Sequence, residues 1–146
     1  RCVIGANYSQ QNLFKIDPES GRIEVSEAKV ASVSGEPMCA IGFRGKAYIG
    51  IYTHSILSVY DPGQPFRFSA NPRELIELGA RYKQTRPRDA TTAGHLVAMS
   101  SDSDYNYLGG ALAVIDLDID DWANIRPGTG HLDSFVTPRA IGAGSD

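Results

Sequence analysis

Short apolar runs alternate with polar turn residues along this chain, and one of the runs recurs. Residues 13–17, 57–61 and 112–116 all follow the pattern Leu-x-x-(Ile or Tyr)-Asp, at offsets of 44 and then 55 residues. A recurrence at such intervals indicates supersecondary units that stack side by side. Each run has the composition of a strand, and the Asp at its end favours a turn because its carboxylate can accept a hydrogen bond from the backbone ahead. The pattern therefore predicts three strands, each followed by a turn.

Three further kinds of short run occupy constant positions around this pattern. A β-rich run precedes it at residues 2–6, 46–51 and 95–100. A run that begins with proline lies earlier still, at residues 37–43 and 87–93, and recurs near the end of the chain at 138–143. A last run follows the Asp turn at residues 22–25, 74–78 and, less clearly, 122–125. Four short strands per period of about 50 residues are typical of a propeller blade.

We therefore expect an all-β chain, namely a β-propeller segment of four-stranded antiparallel blades in an incomplete ring. Within a single domain, 1–146, the repeats predict a partial blade at 1–30, blades at 35–79 and 86–126, and the start of the next blade at 133–146.

Two alternatives compete with this interpretation. The first is a β-sandwich of about ten short strands, but a sandwich does not require equal intervals, whereas every propeller blade fills the same wedge. The recurring prolines lie 50 and 51 residues apart, which favours the propeller. The second alternative is local: Asn71 could cap a helix that starts at Pro72, although we favour a strand over residues 72–78.

In this alignment the chain begins in the second strand of one blade and ends in the first strand of another. An arc that left roughly 400 Å² of apolar blade face in water would forfeit about 10 kcal/mol, which is comparable to the whole stability of a domain. We expect the partners of this chain to be the remaining blades of a longer chain or other copies of itself.

Charge and composition exclude several classes of partner and reaction. The chain has 14 basic and 17 acidic residues, so it has no broad positive field for nucleic acid, and no apolar stretch is long enough to cross a membrane as a helix. Cys2 and Cys39 are too few for a disulfide framework and form no Cys-x-x-Cys pair. The acidic run 116–121 lacks the Gly and Glu of an EF-hand loop, and no nucleophile elbow, zinc-binding helix or phosphate loop occurs. We expect no cofactor and no metal.

Candidate binding residues cluster in two loops and one strand. Residues 50–54 and 102–110 are expected to connect the second and third strands of successive blades, so both loops should lie on the same face. Arginines at the start of the innermost strand should lie near the ring axis, where a guanidinium suits carboxylates or sulfates. The candidate ligand-binding residues are Tyr52, His54, Arg86, Arg88, Tyr105 and Tyr107.

Four strings of this sequence resemble the blades of bacterial propeller proteins of the YVTN or quinoprotein-like type. They are residues 48–52, 59–62, 86–89 and 107–116. The resemblance covers residues 1 to about 120, and its motifs are specific for blade architecture rather than for a reaction. Some proteins of that group accompany or perform polysaccharide degradation, so the resemblance implies a carbohydrate-related role and favours a secreted or periplasmic protein.

The leading functional prediction is a propeller module that presents a ligand or partner surface, for carbohydrate in particular, because aromatic and polar loops on a rigid scaffold suit sugar faces. The alternative is part of an extracellular polysaccharide lyase. In a lyase, Tyr52 or His54 would take the proton beside a uronate carboxylate, while Arg86 or Arg88 neutralised that carboxylate. A third possibility is that the blades serve only as the scaffold of another domain. The sequence identifies no catalytic residue.

Overall fold

A computed structural model describes residues 1–8, 11–26, 31–32, 35–67 and 69–118. The strands in this part of the chain form three antiparallel sheets, and within each sheet consecutive strands are neighbours. The predicted all-β class is confirmed. The interpretation of the sheets as propeller blades stays a prediction.

The strands follow the order that the sequence pattern predicts. The first sheet contains β1 (Val3–Ala6), β2 (Leu13–Ile16) and β3 (Ile23–Val25). The second sheet contains β4 (Glu36–Phe43), β5 (Lys46–Tyr52), β6 (Ile56–Tyr60) and β7 (Arg73–Glu77). The third sheet contains β8 (Gln84–Ala93), β9 (Leu96–Ser103) and β10 (Ala111–Asp116). The expected outer strand at 122–125 and the expected blade start at 133–146 lie outside the described residues.

The structure decides one open alternative in the sequence-based prediction and differs from the prediction at two other places. The stretch 72–78 contains the strand β7 rather than a helix. A four-residue helix that the sequence pattern does not predict, α1 (Gly79–Tyr82), follows it. Residues 50–52 were expected in a loop but belong to β5, because the pairing with β4 continues through Gly50 and Cys39 to Tyr52 and Glu36. The loop therefore begins only after Tyr52.

The three predicted Asp turns are confirmed and share one geometry. In each turn, Oδ1 of the Asp accepts a hydrogen bond from the backbone N–H two residues ahead. The N–O distance is 2.9 Å at Asp17, at Asp61 and at Asp116. This recurrence supports the alignment of the three sheets as repeats of one unit.

Two apolar clusters form the core of the described residues. One contains residues of the second sheet, among them Tyr48 and Leu57, together with Val97 and Met99 of the third sheet. The other places Leu13 of the first sheet against residues of the second sheet. The second sheet is therefore buried on both faces, each against a different neighbour.

The first strands of the second and third sheets lie close together. Strand β8 contacts β4 and β5. The backbone approach is tight at Gly50, where an added Cβ would lie 2.5 Å from Sγ of Cys39 and 2.8 Å from Cβ of Pro87. This packing places the beginning of β8, which carries Arg86 and Arg88, beside the end of β5. In the described residues, no helix has the length and apolar character needed to cross a membrane.

Candidate functional site

Three of the six predicted binding residues meet at the ends of β5, β8 and β9. The guanidinium carbon of Arg86 lies 4.8 Å from the ring centre of Tyr52 and 5.3 Å from that of Tyr105. Its Nη2 donates a hydrogen bond of 2.6 Å to the hydroxyl of Tyr105. Arg86 therefore joins the second and third sheets at this end of the strands by cation–π contacts and by a charge-assisted hydrogen bond.

The pKa values of the two tyrosines in this group are shifted in opposite directions. The hydrogen bond from Arg86 lowers the pKa of Tyr105, and a second hydrogen bond from Tyr52 lowers it further. Burial raises the pKa of Tyr52, and its hydrogen bond to Tyr105 acts in the same direction. The oxygen of Tyr105 accepts the hydrogen bond from Arg86, so its hydroxyl can also donate its proton to another partner.

A third tyrosine, which sequence reasoning did not select, reaches the same place from the first sheet. Tyr8 follows β1, and its hydroxyl forms a hydrogen bond with Glu36, which raises the pKa of Tyr8. The positive charge of Arg86 lowers the pKa of Tyr8, so Arg86 also lies near Tyr8. Glu36 pairs with Tyr52 in the register of the second sheet. We call Tyr8, Glu36, Tyr52, Arg86 and Tyr105 the tyrosine cluster.

The spacing of residues within the repeats could have identified Tyr8 as a candidate binding residue. Tyr8 precedes Asp17 by nine residues, as Tyr52 precedes Asp61. The residue with the same spacing in the third repeat is Tyr107, nine residues before Asp116. The loop after β9 is longer, however, so Tyr105 rather than Tyr107 reaches Arg86.

Arg88 lies next to this cluster, but its charge is already matched. Its Nε and Nη2 both donate hydrogen bonds to Oδ2 of Asp102, and the Nε bond is 2.6 Å long. The two side chains are 27% and 15% exposed. Their ion pair fastens β8 to β9, and Arg88 has less capacity than Arg86 to bind an anion.

His54 and Tyr107 lie outside the tyrosine cluster. Nδ1 of His54 lies 3.2 Å from the carboxylate of Glu77, at the end of β7. Tyr107 is half exposed in the loop after β9, and its backbone carbonyl accepts a hydrogen bond from the hydroxyl of Ser103. Within the described contacts, neither side chain joins Arg86.

The tyrosine cluster presents aromatic and polar surface to solvent. Tyr8 is 58% exposed and Tyr105 is 63% exposed, whereas Arg86 is only partly exposed between them and the sheet. The cluster contains one guanidinium and one carboxylate, so its fixed charges balance. It can stack against an apolar face and both donate and accept hydrogen bonds. No group of three potential metal ligands occurs within the described part of the chain.

A separate cleft of about 1150 Å³ opens between the first and second sheets. Strand residues of β1 and β4 line it, including Ile4, Ala6, Cys39 and Ile41. The ion pair of Lys15 with Glu24, at 2.9 Å, lies at its border. Charged side chains also line the cleft, among them Arg1, Arg22, Arg44 and Lys46.

Comparison with protein-family models and with curated proteins gives no match for this chain.

Proposed function

We propose that this chain is a segment of a β-propeller that binds neutral carbohydrate at the tyrosine cluster. One observation carries the proposal: Tyr8 follows β1, Tyr52 ends β5 and Tyr105 follows β9, and all three lie near Arg86. In a propeller, equivalent loops of successive blades gather around one mouth of the channel. Ligand sites lie preferentially in such loop clusters on rigid scaffolds.

The repeated architecture supports the propeller part of the proposal. Each sheet is a meander of consecutive strands. The same Asp turn follows one strand of each sheet, namely β2, β6 and β10. Adjacent sheets bury apolar side chains between them. Stacked sheets with one orientation along the chain are the arrangement that blades adopt around an axis.

The chemistry of the cluster supports a sugar as the ligand. A sugar ring combines an apolar C–H face with hydroxyl groups, and Tyr side chains combine an apolar ring with a hydroxyl. Tyr105 can donate its proton to a sugar hydroxyl because its oxygen already accepts a hydrogen bond from Arg86. The Glu36 carboxylate can accept hydrogen bonds from sugar hydroxyls.

The balance of charge favours a neutral sugar over a uronate. Asp102 forms an ion pair with Arg88 and also acts on Arg86 through its charge. A carboxylate ligand would have to compete with Asp102 for the guanidiniums.

Affinity electrophoresis tests this proposal with soluble xylan and glucomannan as neutral probes and polygalacturonate as the acidic probe. We expect neutral polysaccharide to retard the protein, and Tyr105→Ala to weaken binding by about tenfold or more, the loss expected for a central aromatic contact. Tyr107→Ala is the matched control, because Tyr107 is exposed in the same loop but outside the cluster. Equal retardation of both variants and the unmodified chain would contradict the assigned site.

A lyase remains the second candidate because one observation favours it: the pKa of Tyr105 is lowered by Arg86, as a proton-abstracting tyrosine requires. Lyase action on polygalacturonate creates a double bond conjugated with the carboxylate, which absorbs at about 235 nm. A rise in this absorbance that Tyr105→Phe abolishes would support the lyase. No rise with the unmodified chain would leave carbohydrate binding as the proposal.

A further inference from the structure

A small pocket of about 310 Å³ lies between the first sheet and the loop that follows β6. Strands β2 and β3 line one side of it with Leu13, Phe14 and Val25. Residues 62–66 of the loop line the other side, and Phe66 is the aromatic residue among them. Small-molecule sites have volumes of about 300–1,000 Å³, so this pocket is at the lower end of that range. Its size suits a ligand of one ring.

Tyr60, at the end of β6, supplies a polar group to this pocket. The residue is only 6% exposed and lines the pocket. The charges of Lys15 and Glu24, which also line the pocket, act on its hydroxyl, but that hydroxyl makes no hydrogen bond within the described part of the chain. A buried Tyr hydroxyl usually has a hydrogen-bond partner. A ligand in the pocket can therefore supply the partner that Tyr60 lacks among the described residues.

The charged groups at this pocket are already paired with each other. Nζ of Lys15 lies 2.9 Å from the carboxylate of Glu24, and it also donates a hydrogen bond of 3.5 Å to the carbonyl of Pro62. The hydrogen bond between the two side chains raises the pKa of Lys15 and lowers the pKa of Glu24, so both groups stay charged at neutral pH. Burial raises the pKa of Tyr60, which stays a neutral phenol. This balance of charge favours a neutral ligand.

Hydrogen bonds hold both sides of the pocket in place. On the first sheet, Oγ of Ser26 accepts a hydrogen bond of 2.9 Å from the backbone N–H of Leu13. On the loop, Nδ2 of Asn71 donates to the carbonyls of Gln64 and Pro65, each at 3.2 Å. A pocket whose walls are already ordered loses less conformational entropy when a ligand binds.

We propose that this pocket binds a neutral phenol with a single aromatic ring. The ring packs against Phe14 and Phe66, and its hydroxyl forms a hydrogen bond with the hydroxyl of Tyr60. The aromatic contacts supply affinity, while Tyr60 distinguishes a phenol from a hydrocarbon of similar shape. The pocket is separate from the tyrosine cluster, so the proposal does not depend on carbohydrate binding.

Two probes that differ by one hydroxyl group, p-cresol and toluene, test the proposal. Saturation-transfer NMR with the full chain measures the affinity of each probe. Tyr60→Phe should weaken p-cresol binding by about fivefold, the loss expected for one hydrogen bond. The same variant should leave toluene binding unchanged, because toluene forms no hydrogen bond with Tyr60.

Tyr48→Phe is the matched control, because Tyr48 is only 4% exposed but belongs to the other apolar cluster. It should leave the affinity for both probes unchanged. Phe66→Ala removes an apolar side of the pocket and should weaken both probes, which tests the pocket even where Tyr60→Phe proves unstable. The proposal is overturned by the absence of saturable p-cresol binding, by equal losses in Tyr60→Phe and Tyr48→Phe, or by unchanged binding of both probes to Phe66→Ala.

Discussion

At the residue scale, Arg86 sets the acid–base behaviour of the tyrosine cluster. It donates a hydrogen bond to Tyr105 and lies over the rings of Tyr52 and Tyr105. A positive donor stabilises the phenolate more than the phenol, so the pKa of Tyr105 is lowered. The same contacts hold the two rings in a fixed arrangement at the ends of their strands.

This arrangement predicts a change in tyrosine titration. Arg86→Met should raise the pKa of Tyr105, because the variant lacks both the hydrogen-bond donor and the charge. Absorbance at about 295 nm follows tyrosinate formation, whose ordinary pKa is about 10. The earliest transition of the unmodified chain should move to higher pH in Arg86→Met and be missing in Tyr105→Phe. Superimposable titration curves for the three proteins would contradict this account of the cluster.

Gly50 supplies a residue-scale test of the packing between the second and third sheets. An alanine there would place its Cβ within 2.5 Å of Cys39 Sγ and 2.8 Å of the Pro87 ring. Overpacking of this kind typically costs about 1–3 kcal/mol. Urea unfolding should therefore show a clear loss of stability for Gly50→Ala.

Gly42→Ala is the matched control for that experiment. Gly42 lies in the neighbouring strand β4, and an added Cβ there meets nothing within 4 Å. Its stability should be unchanged or slightly higher, because alanine loses less backbone entropy than glycine on folding. A similar loss of stability in both variants would show that the two sheets do not approach at Gly50.

The residues of the site were only partly predictable from the sequence. Tyr52, Arg86 and Tyr105 could be selected because aromatic and cationic residues stand at strand ends on one face. Tyr8 was missed although its spacing from Asp17 equals that of Tyr52 from Asp61. Tyr107 has the same spacing, but the length of its loop changes which tyrosine reaches Arg86, and spacing alone does not encode that path.

At the element scale, the strands and their Asp turns could be predicted because both depend on local chemistry. Side chains that alternate between two faces indicate a strand. An Asp whose side chain can accept a hydrogen bond from a nearby backbone N–H indicates a turn. The helix α1 could not be predicted, because it has only four residues and no side-chain cap at its N-terminus. The extension of β5 to Tyr52 depends on cross-strand pairing with Glu36, which is a long-range contact.

The connection between β6 and β7 depends on the side chain of Asn71. Its Oδ1 accepts a hydrogen bond of 2.8 Å from the backbone N–H of Asp61, and its Nδ2 donates to the Asp61 carbonyl at 2.9 Å. Nδ2 also lies 3.2 Å from the carbonyls of Gln64 and of Pro65. One side chain therefore fastens both ends of this loop.

Replacement of Asn71 should loosen that connection. Asn71→Ala removes these hydrogen bonds and leaves partly buried backbone groups unpaired, at a cost of about 1–3 kcal/mol. Thermal unfolding should show a lower Tm for Asn71→Ala and an unchanged Tm for Gln64→Ala, whose side chain is exposed. An equal Tm for both variants would mean that the loop does not depend on Asn71.

At the scale of the whole molecule, adjacent sheets stabilise one another through the two apolar clusters between them. The second sheet is covered on both faces. The first sheet leaves Val3, Ile23 and Val25 exposed, so its outer face lacks the cover that the second sheet receives. Exposed apolar patches of this kind mark surfaces that bind protein. The sequence repeats predict this need for partners, but which chain supplies them depends on assembly, which no local pattern encodes.

The mass of the native particle tests most directly the claim that these sheets form a propeller segment completed by other blades. Multi-angle light scattering should be combined with thermal unfolding of the chain of 15.8 kDa. The account predicts a folded particle whose mass is a whole multiple of that value, with no folded monomer. A monodisperse monomer of 15.8 kDa that unfolds in one cooperative transition would contradict it.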